Sequence, residues 1–250
     1  RAMKRRAEKI VALTAYDYSF AALCEAAGVD VVLVGDSLGM VVQGHATTLP
    51  VTMDDMVYHT RCVARGLRRT LLVADIPFLA DASVDTVVRN GGLLLAQGGA
   101  SMVKLEGAGI RLPMIQALVA HGIPVCAHLG LTPQSVHQLG GFRKQGKTPA
   151  AAEQLQADAR AVQDAGAQAL VLESVPGELA RAISQELDIA VIGIGAGAGC
   201  DGQILVGHDI IGLTPGHRPP FSRDFLKGHD SLAAAVAAYA VAVRTGAFPE

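Results

Sequence analysis

Aromatic residues make up only 4% of this 250-residue sequence, and tryptophan is absent. Basic residues cluster at positions 4–6 and 65–69, but no aromatic residues are interleaved with them, and the formal net charge is -2. This balance gives no electrostatic basis for binding nucleic acid or an anionic membrane. No apolar run approaches the roughly 20 residues of a membrane helix, and no signal-peptide pattern opens the sequence. We therefore expect neither nucleic acid nor a membrane as a partner.

Cysteine is also scarce. The four cysteines lie far apart and form no metal-binding or redox motif; they are Cys24, Cys62, Cys126 and Cys200. Free thiols of this kind are typical of proteins from a reducing compartment. The sequence therefore predicts a cytoplasmic protein without disulfides.

Hydrophobic residues, by contrast, make up 50% of the sequence, which is enough to build a large core. Runs rich in valine, isoleucine and leucine alternate with helical stretches, and such continuous apolar runs fit parallel strands buried on both faces. About eight strand–helix units in this length predict an α/β protein with one (β/α)8 TIM barrel. We assign residues 1–250 to this single catalytic domain, including a C-terminal helix. An open doubly wound sheet is the alternative.

The predicted elements follow from apolar runs and from helix start and stop signals. The strands are expected at 10–16, 29–36, 70–77, 102–107, 123–130, 169–175, 189–194 and 210–213. The helices are expected at 19–27, 52–65, 83–97, 110–121, 150–165, 176–186 and 231–244. Gly28 suits a helix C-cap, and Thr52 with Asp55 resembles a capping box.

Five predicted strands end in ionisable side chains. In the strand at 102–107, alternate side chains share a face, so Lys104 and Glu106 point into the same space. At each of the other four strand ends, an ionisable residue lies an even number of positions from apolar residues of the same run, so that these side chains share a face of the strand. The four residues are Asp36, Asp75, His128 and Glu173. In either fold, ligands bind at the carboxyl ends of the strands. We therefore expect these side chains to meet in one site.

Three carboxylates in that site would repel one another unless a cation lay between them. An all-oxygen set of ligands, completed by water and substrate oxygens, suits Mg²⁺ better than Zn²⁺. We therefore predict that Asp36, Asp75 and Glu106 bind Mg²⁺. Each carboxylate taken alone would equally suit a helix cap or a surface position.

The remaining ionisable residues each have two interpretations. Lys104 would form a structural ion pair with Glu106, or supply a fixed positive charge for a substrate carboxylate or a developing oxyanion. His128 would be a buried core histidine, or a donor to the same oxyanion. Glu173 follows an apolar run and is the candidate general base.

A glycine-rich segment, Gly-Ile-Gly-Ala-Gly at 193–197, lacks the spacing of a dinucleotide-binding loop and is not followed by a Walker lysine. We expect it to allow close approach of backbones at the end of the seventh strand; contact with a phosphate or another anion is the alternative. Asp201 is expected to cap the next short helix.

Several longer motifs resemble those of the ketopantoate hydroxymethyltransferase family, in the phosphoenolpyruvate mutase and isocitrate lyase superfamily. They are TAYDYS at 14–19, VGDSLG at 34–39, QGH at 43–45, TLPVT at 48–52, AHLGLTPQ at 127–134 and GIGAG at 193–197. The resemblance covers nearly the whole sequence. It implies a (β/α)8 barrel, a Mg²⁺ site and transfer of a hydroxymethyl group from 5,10-methylenetetrahydrofolate to 3-methyl-2-oxobutanoate, giving 2-dehydropantoate in pantothenate biosynthesis.

The family pattern also implies roles for individual residues. Asp36 and Asp75 would hold the metal, with Glu106 as a further ligand, directly or through water. The 2-oxo acid would contact four side chains: Ser37, Asp75, Lys104 and His128. Glu173 would be the base that forms an enolate, and the family implies a homodecamer.

Two other functions are compatible with the same residues. A Mg²⁺-dependent C–C lyase or mutase acting on another 2-oxo acid would share the metal carboxylates but would not need folate. A non-catalytic barrel that binds a metabolite or acts as a scaffold would not need to retain both the metal ligands and the base.

Overall fold

A computed structural model describes residues 1–216 and 218–249 of the chain. Its strands, in chain order, are β1 Ile10–Thr14, β2 Val31–Val34, β3 Leu71–Asp75, β4 Met102–Glu106, β5 Val125–Gly130, β6 Ala169–Glu173, β7 Ala190–Ile194 and β8 Gly202–Leu205. The helices are α1 Ala2–Arg5, α2 Tyr18–Ala26, α3 Leu38–Val41, α4 Met53–Ala64, α5 Val84–Ala96, α6 Leu112–Ala120, α7 Val136–Leu139, α8 Pro149–Asp164, α9 Gly177–Glu186, α10 Gly207–Ile210 and α11 Leu232–Thr245. Short 3₁₀ turns occupy Gly109–Arg111 and Pro133–Ser135.

The strands close into a parallel barrel. Each strand pairs with its neighbour in sequence, and β8 returns to pair with β1, where Ile10 lies opposite Gly202. Helices follow the strands and cover the outside of the barrel, so the architecture is the predicted (β/α)8 fold. The doubly wound alternative is excluded because the sheet is closed.

Two apolar layers fill the molecule, because alternate strand residues face opposite sides of the sheet. The inner layer lies within the barrel and is formed by Ile10, Ala12, Leu33, Val73, Met102, Cys126, Val171, Ala190, Ile192 and Ile204. The outer layer is larger and packs between the strands and the helices. Apolar side chains therefore line the interior of the barrel, and charged side chains collect toward its two ends.

Local signals account for several helix ends. Thr52 and Asp55 form the predicted capping box at the start of α4, with Asp55 Oδ2 accepting from the Thr52 N–H at 2.9 Å. Gly28 follows α2 with φ +73°, a left-handed conformation that glycine adopts without a Cβ clash. At α11, Ser231 accepts a hydrogen bond from the N–H of Ala234. These predictions are confirmed to within about two residues.

The prediction for the eighth strand was wrong. The structure places β8 at 202–205, whereas Ile210 ends the short helix α10. A Cβ at Gly202 would lie only 2.3 Å from the carbonyl oxygen of Ile10, so glycine is required where β8 pairs with β1. The strand reads Gly-Gln-Ile-Leu, and its first two residues interrupt the apolar run that marks the other seven.

Asp201 was also assigned incorrectly. Its carboxylate accepts a hydrogen bond from the N–H of Val191 at 2.8 Å and forms an ion pair with Lys4 at 2.9 Å. It therefore joins β7 to the N-terminal segment instead of capping a helix. Lys4, which the sequence placed in a basic surface cluster, is held at the amino end of the barrel.

The C-terminal helix α11 packs on the barrel. Tyr239 is fully buried, and its hydroxyl donates to the carbonyl oxygens of Ala12 at 2.9 Å and Gln203 at 3.2 Å. This helix therefore covers the junction between the first and last strands. None of the helices in the described ranges is both long and apolar enough to cross a membrane. All four cysteines are free, as predicted.

Candidate active site

The predicted strand-end residues meet at the carboxyl end of the barrel. Strand register places Asp75 beside Lys104, and Glu106 beside His128. These four side chains are more than nine-tenths buried, while Glu173 at the end of β6 is partly exposed. The inward orientation of Lys104 and Glu106 follows from Met102, which lies in the inner apolar layer two residues before Lys104.

Asp36 reaches the same place by a different route. The sequence prediction assumed that Asp36 shares an inward face with Val32 and Val34. In the structure these two valines face the outer layer, and Leu33 faces the interior. Strand β2 ends at Val34, and the turn through Gly35 directs the Asp36 carboxylate inward. The site assignment of Asp36 therefore does not depend on the parity argument, which was wrong.

Lys104 is the cation at the centre of this cluster. Its Nζ lies 3.2 Å from Asp75 Oδ1 and 3.8 Å from Glu106 Oε1. It also lies 3.0 Å from His128 Nδ1. Burial alone would lower the pKa of Lys104, but Asp75, Glu106 and Asp36 outweigh burial and raise it. The neighbouring carboxylates therefore favour the charged form of the Lys104 amine.

His128 connects Lys104 to Glu173. Its Nδ1 is 3.2 Å from Glu106 Oε1, and its Nε2 is 3.2 Å from Glu173 Oε2, although neither contact has hydrogen-bond alignment. Burial and the Lys104 charge would lower the pKa of His128, but the Glu106 and Glu173 carboxylates outweigh them and raise it. When the ring is neutral, donation by Lys104 to Nδ1 leaves the proton on Nε2, facing Glu173.

Each of the three clustered carboxylates has one oxygen held by an N–H donor. Asp36 Oδ2 accepts from the side-chain amide of Gln134 at 2.8 Å. Asp75 Oδ2 accepts from the backbone N–H of Asp36, and Glu106 Oε2 accepts from the backbone N–H of Gln134, both at 3.0 Å. Asp75 Oδ1 and Glu106 Oε1 are buried without a hydrogen-bond partner in the described residues. These two free oxygens face Lys104.

Burial and mutual repulsion shape the charge state of the acids. Burial, followed by the charges of Asp75 and Glu106, raises the pKa of Asp36 well above its ordinary value. Burial likewise raises the pKa of Asp75, although Lys104 opposes this effect. Burial would also raise the pKa of Glu106, but the neighbouring His128, with help from Lys104, lowers it. Burial and mutual repulsion therefore favour retention of a proton by these acids, most strongly at Asp36.

These residues fit a hard divalent cation by their chemistry. Three carboxylates supply oxygen ligands, two of their oxygens are buried without hydrogen bonds, and one cation does not balance their charge. Within the described ranges, no group of three His, Cys, Asp or Glu side chains is already arranged around a common metal position. Repulsion between carboxylates keeps them apart, and Lys104 Nζ lies between two of them.

Ser37 lies beside this cluster. Its hydroxyl is 2.8 Å from the Tyr16 hydroxyl. A Cβ at Gly35 would lie 2.8 Å from Ser37 Oγ and 3.4 Å from Asp75 Oδ2, so the absence of a side chain there allows Ser37 and Asp75 to approach the same point. Tyr16 was not singled out from the sequence, because the end of β1 carries no charge.

Gln134 is the second residue that sequence reasoning missed. It belongs to a quoted motif, but it lies in a 3₁₀ turn after β5, where strand parity gives no information. Its amide donates to Asp36 and, at 2.9 Å, to the carbonyl oxygen of Ile76. The only signal in the sequence was a polar side chain in a loop at the carboxyl end of the barrel.

A separate cavity opens at the amino end of the barrel. It measures about 790 Å³ and extends from the N-terminal residues Arg1 and Met3 into the barrel interior, where it reaches Lys104 and Cys126. Of the predicted site residues, Lys104 alone borders it. The clustered carboxylates, and with them the chemistry, lie at the opposite end of the barrel.

Comparison with known proteins points to one family. The family model of ketopantoate hydroxymethyltransferase matches residues 1–250. The 3-methyl-2-oxobutanoate hydroxymethyltransferase of Halorhodospira halophila is 57% identical over 250 residues, covering 100% of this chain and 90% of the relative. The enzyme of the same name from Xanthomonas axonopodis pv. citri is 59% identical over 248 residues, covering 99% and 91%.

Solved structures with the same fold are more distant. A phosphonopyruvate hydrolase in complex with oxalate and Mg²⁺ has a TM-score of 0.64 and 16% identity, covering 84% of this chain and 81% of the other. A 2,3-dimethylmalate lyase, described as a phosphoenolpyruvate mutase/isocitrate lyase superfamily member, has a TM-score of 0.60 and 20% identity, covering 82% and 78%. At these identities the similarity concerns the fold alone.

Proposed function

We propose that this chain, which belongs to the ketopantoate hydroxymethyltransferase family, transfers a hydroxymethyl group from 5,10-methylenetetrahydrofolate to 3-methyl-2-oxobutanoate, giving 2-dehydropantoate. One observation carries the proposal: three carboxylates lie beside a row of contacts that runs from the buried Lys104 through the buried His128 to the partly exposed Glu173. It lies in a chain that matches the family over its whole length. On this proposal residues 1–250 form one catalytic domain.

The carboxylates are proposed as the metal site. Asp36 and Asp75 would hold Mg²⁺, with Glu106 as a further ligand. When bound, the cation would supply a Lewis acid that polarises the 2-oxo group of the substrate and makes the hydrogen on C3 more acidic. Support comes from the Asp75 and Glu106 oxygens that have no hydrogen-bond partner among the described residues, and from the crowding of three carboxylates around one lysine.

Glu173 is proposed as the base that removes the C3 proton. With 14% of its side chain accessible, Glu173 is more exposed than Asp75 or Glu106, so its carboxylate is the one best placed to reach C3 of a substrate. His128 Nε2 lies 3.2 Å from Glu173 Oε2, so it can orient the carboxylate for proton transfer.

Lys104 and His128 are proposed to stabilise negative charge on the substrate. Both are buried, and a buried positive charge acts strongly on an oxyanion because little water screens it. Ser37 and Asp75 would complete the contacts with the 2-oxo acid. Water would hydrolyse the methylene unit of the folate, breaking both of its C–N bonds, so that tetrahydrofolate leaves and a formaldehyde-level carbon remains. After deprotonation, C3 would form its new bond to this carbon, whose oxygen takes up a proton and becomes the hydroxyl group of the product.

The family also suggests how the protein is assembled and where it is found. We propose a cytoplasmic homo-oligomer, a homodecamer by family resemblance. Support comes from the free cysteines and from exposed apolar side chains such as Tyr18, Tyr58 and Val241. Sedimentation-equilibrium measurement of the molar mass would test the assembly, and a mass of about 25.8 kDa would contradict it.

The experiment that tests the reaction follows exchange of the C3 hydrogen of 3-methyl-2-oxobutanoate in D₂O by NMR, with and without Mg²⁺ and before folate is added. We expect Mg²⁺-dependent exchange in the wild type and its loss in Glu173→Gln. Addition of 5,10-methylenetetrahydrofolate should then give 2-dehydropantoate. If the substrate binds but neither exchanges nor turns over in the presence of folate, the proposed function is wrong.

A further inference from the structure

We infer that Gln134 is a positioning residue that orients Asp36 and Glu106 for cation binding. The inference rests on the proposed function, because it concerns the same carboxylates. Gln134 touches none of the reacting atoms in this proposal. It acts through the direction in which the two acids point.

Gln134 supplies two of the three N–H donors that hold the carboxylates. Its side-chain amide donates to Asp36 Oδ2 at 2.8 Å, and its backbone N–H donates to Glu106 Oε2 at 3.0 Å. One residue thus fixes acids at the ends of two different strands. Because one oxygen of each acid is occupied, the second oxygen is the one left for a cation.

The orientation of the Gln134 amide is determined by its partners. The same Nε2 donates to Asp36 Oδ2 and to the carbonyl oxygen of Ile76, and neither of these atoms carries a hydrogen to donate when Asp36 is ionised. The amide therefore has to present its NH₂ group to both. Methionine has nearly the same length and shape but removes both donors.

The loop that carries Gln134 is held firmly in place. Pro133 begins the 3₁₀ turn, and the N–H of Leu131 donates to the carbonyl oxygen of Glu173 at 2.8 Å. The turn therefore connects the β6 end, where the proposed base lies, to the acids at the ends of β2 and β4. Interactions of this kind, one step removed from a metal, typically change metal affinity or activity by about 10–100-fold when removed.

The test compares the wild type with Gln134→Met, using Mn²⁺ as the probe and no substrate. The backbone N–H of residue 134 survives the substitution, so the variant removes only the two side-chain donors. Gln154→Met is the matched control, because Gln154 Nε2 also donates to a carboxylate, that of Asp158 at 2.9 Å, but on the exposed face of α8. Free Mn²⁺ is measured by electron paramagnetic resonance, and the unfolding midpoint is measured in parallel.

We expect the Kd for Mn²⁺ to rise about 10-fold or more in Gln134→Met, with an unfolding midpoint close to that of the wild type and of Gln154→Met. C3-hydrogen exchange should fall at low Mn²⁺ and recover as Mn²⁺ is raised, which a general loss of structure would not produce. If Gln134→Met does not fold, Gln134→Ala serves in its place.

Unchanged Mn²⁺ affinity in a folded Gln134 variant would overturn the inference while leaving the proposed function intact. An equal loss of affinity in Gln154→Met would overturn it as well, because the effect would not be local. A wild type that binds no Mn²⁺ and shows no exchange would instead overturn the cation site and the proposed function together.

Discussion

A lysine and a carboxylate lie at each end of the barrel, and the two lysines differ in how their charge is satisfied. At the amino end, Lys4 Nζ donates to the carbonyl oxygens of Ser184 at 2.6 Å and Ile189 at 2.9 Å. It also pairs with Asp201 at 2.9 Å. Three acceptors match the three hydrogens of an ammonium group, so Lys4 acts as a structural clamp.

At the carboxyl end, Lys104 is more deeply buried and less well satisfied. Its closest contacts are His128 Nδ1 at 3.0 Å and Asp75 Oδ1 at 3.2 Å, and Glu106 lies farther away at 3.8 Å. Three carboxylates compete for one cation. Lys104 alone therefore does not satisfy the surrounding carboxylate oxygens. This arrangement fits a ligand-binding site better than a structural ion pair.

The comparison teaches that burial of an ion pair does not by itself distinguish structure from chemistry. Satisfied partners indicate a structural role, whereas unsatisfied oxygens and excess charge of one sign indicate a functional one. The two lysines can therefore be separated by experiment, since each should affect a different property of the protein.

The largest effect should come from Lys104→Met. We expect turnover of 3-methyl-2-oxobutanoate to fall about 10²–10³-fold, as for loss of one donor to a developing oxyanion. The measurement is the steady-state rate at saturating Mg²⁺ and folate, with circular dichroism to confirm folding. A rate within a few-fold of the wild type would show that Lys104 forms a structural ion pair. The proposed difference in role between Lys104 and Lys4 would then be wrong.

His128→Gln should have a smaller effect, because Lys104 remains to stabilise the charge. We expect kcat to fall roughly 10²-fold, the lower end of the range for a group that assists proton transfer. His121→Gln is the control, since His121 is exposed and its ring Nδ1 contacts the carbonyl oxygen of Ala117 in its own helix at 2.8 Å. Equal rates in the two variants would show that His128 is a buried core histidine.

Lys4→Met should lower the stability of the fold and leave turnover unaffected. We expect the free energy of unfolding to fall by about 2 kcal/mol, because the hydrogen bonds of a charged donor are lost, while turnover stays unchanged. Chemical denaturation measures the first quantity. Arg5→Met is the control, because Arg5 is an exposed neighbour in α1. A Lys4 variant as stable as the Arg5 variant would contradict the structural role.

Much of this architecture could be predicted from the sequence, for a physical reason. Parallel strands buried on both faces are long apolar runs, so an ionisable residue at the end of such a run is conspicuous. Lys104, Asp75 and Glu173 could be placed in this way, because strict alternation from an inward-facing apolar residue carries them into the barrel. The roles given to them remain predictions.

Alternation fails where a strand stops early or is not apolar. Asp36 enters the site through the turn at Gly35, so its correct placement owed nothing to parity. Strand β8 escaped notice because Gly202 and the buried Gln203 interrupt its apolar pattern.

Contacts made by loops and by the N-terminal segment could not be predicted at all. Gln134 lies 98 positions from Asp36 in sequence, and Lys4 lies 180 positions from Ser184. No local pattern records such pairings, because they arise only when the barrel closes. Neither the structural role of Lys4 nor the positioning role of Gln134 could therefore be predicted from the sequence.

The smallest effect concerns Glu25, a second structural charge. Its carboxylate accepts hydrogen bonds from the backbone N–H groups of Arg68, Arg69 and Thr70, just before β3. Partial burial would raise the pKa of Glu25, but hydrogen bonds from Thr70, Arg68 and Arg69 outweigh burial and lower it to about 2. The unfolded chain would have a value of about 4.3. Glu25 therefore stabilises the fold fully above pH ~4.3, and this stabilisation is lost as the pH falls toward about 2.

Glu25→Gln should accordingly lower the free energy of unfolding at pH 7 by roughly 1 kcal/mol, since neutral hydrogen bonds replace charge-assisted ones. The difference from the wild type should shrink as the pH falls from about 4.3 to about 2, and turnover should not change. Chemical denaturation of both proteins across this pH range would measure the difference in unfolding free energy. Glu178→Gln is the control, because the Glu178 side chain is 84% exposed and forms an ion pair with Arg181 on the surface of α9. A difference that stays constant with pH would show that Glu25 acts through its shape and not through its charge.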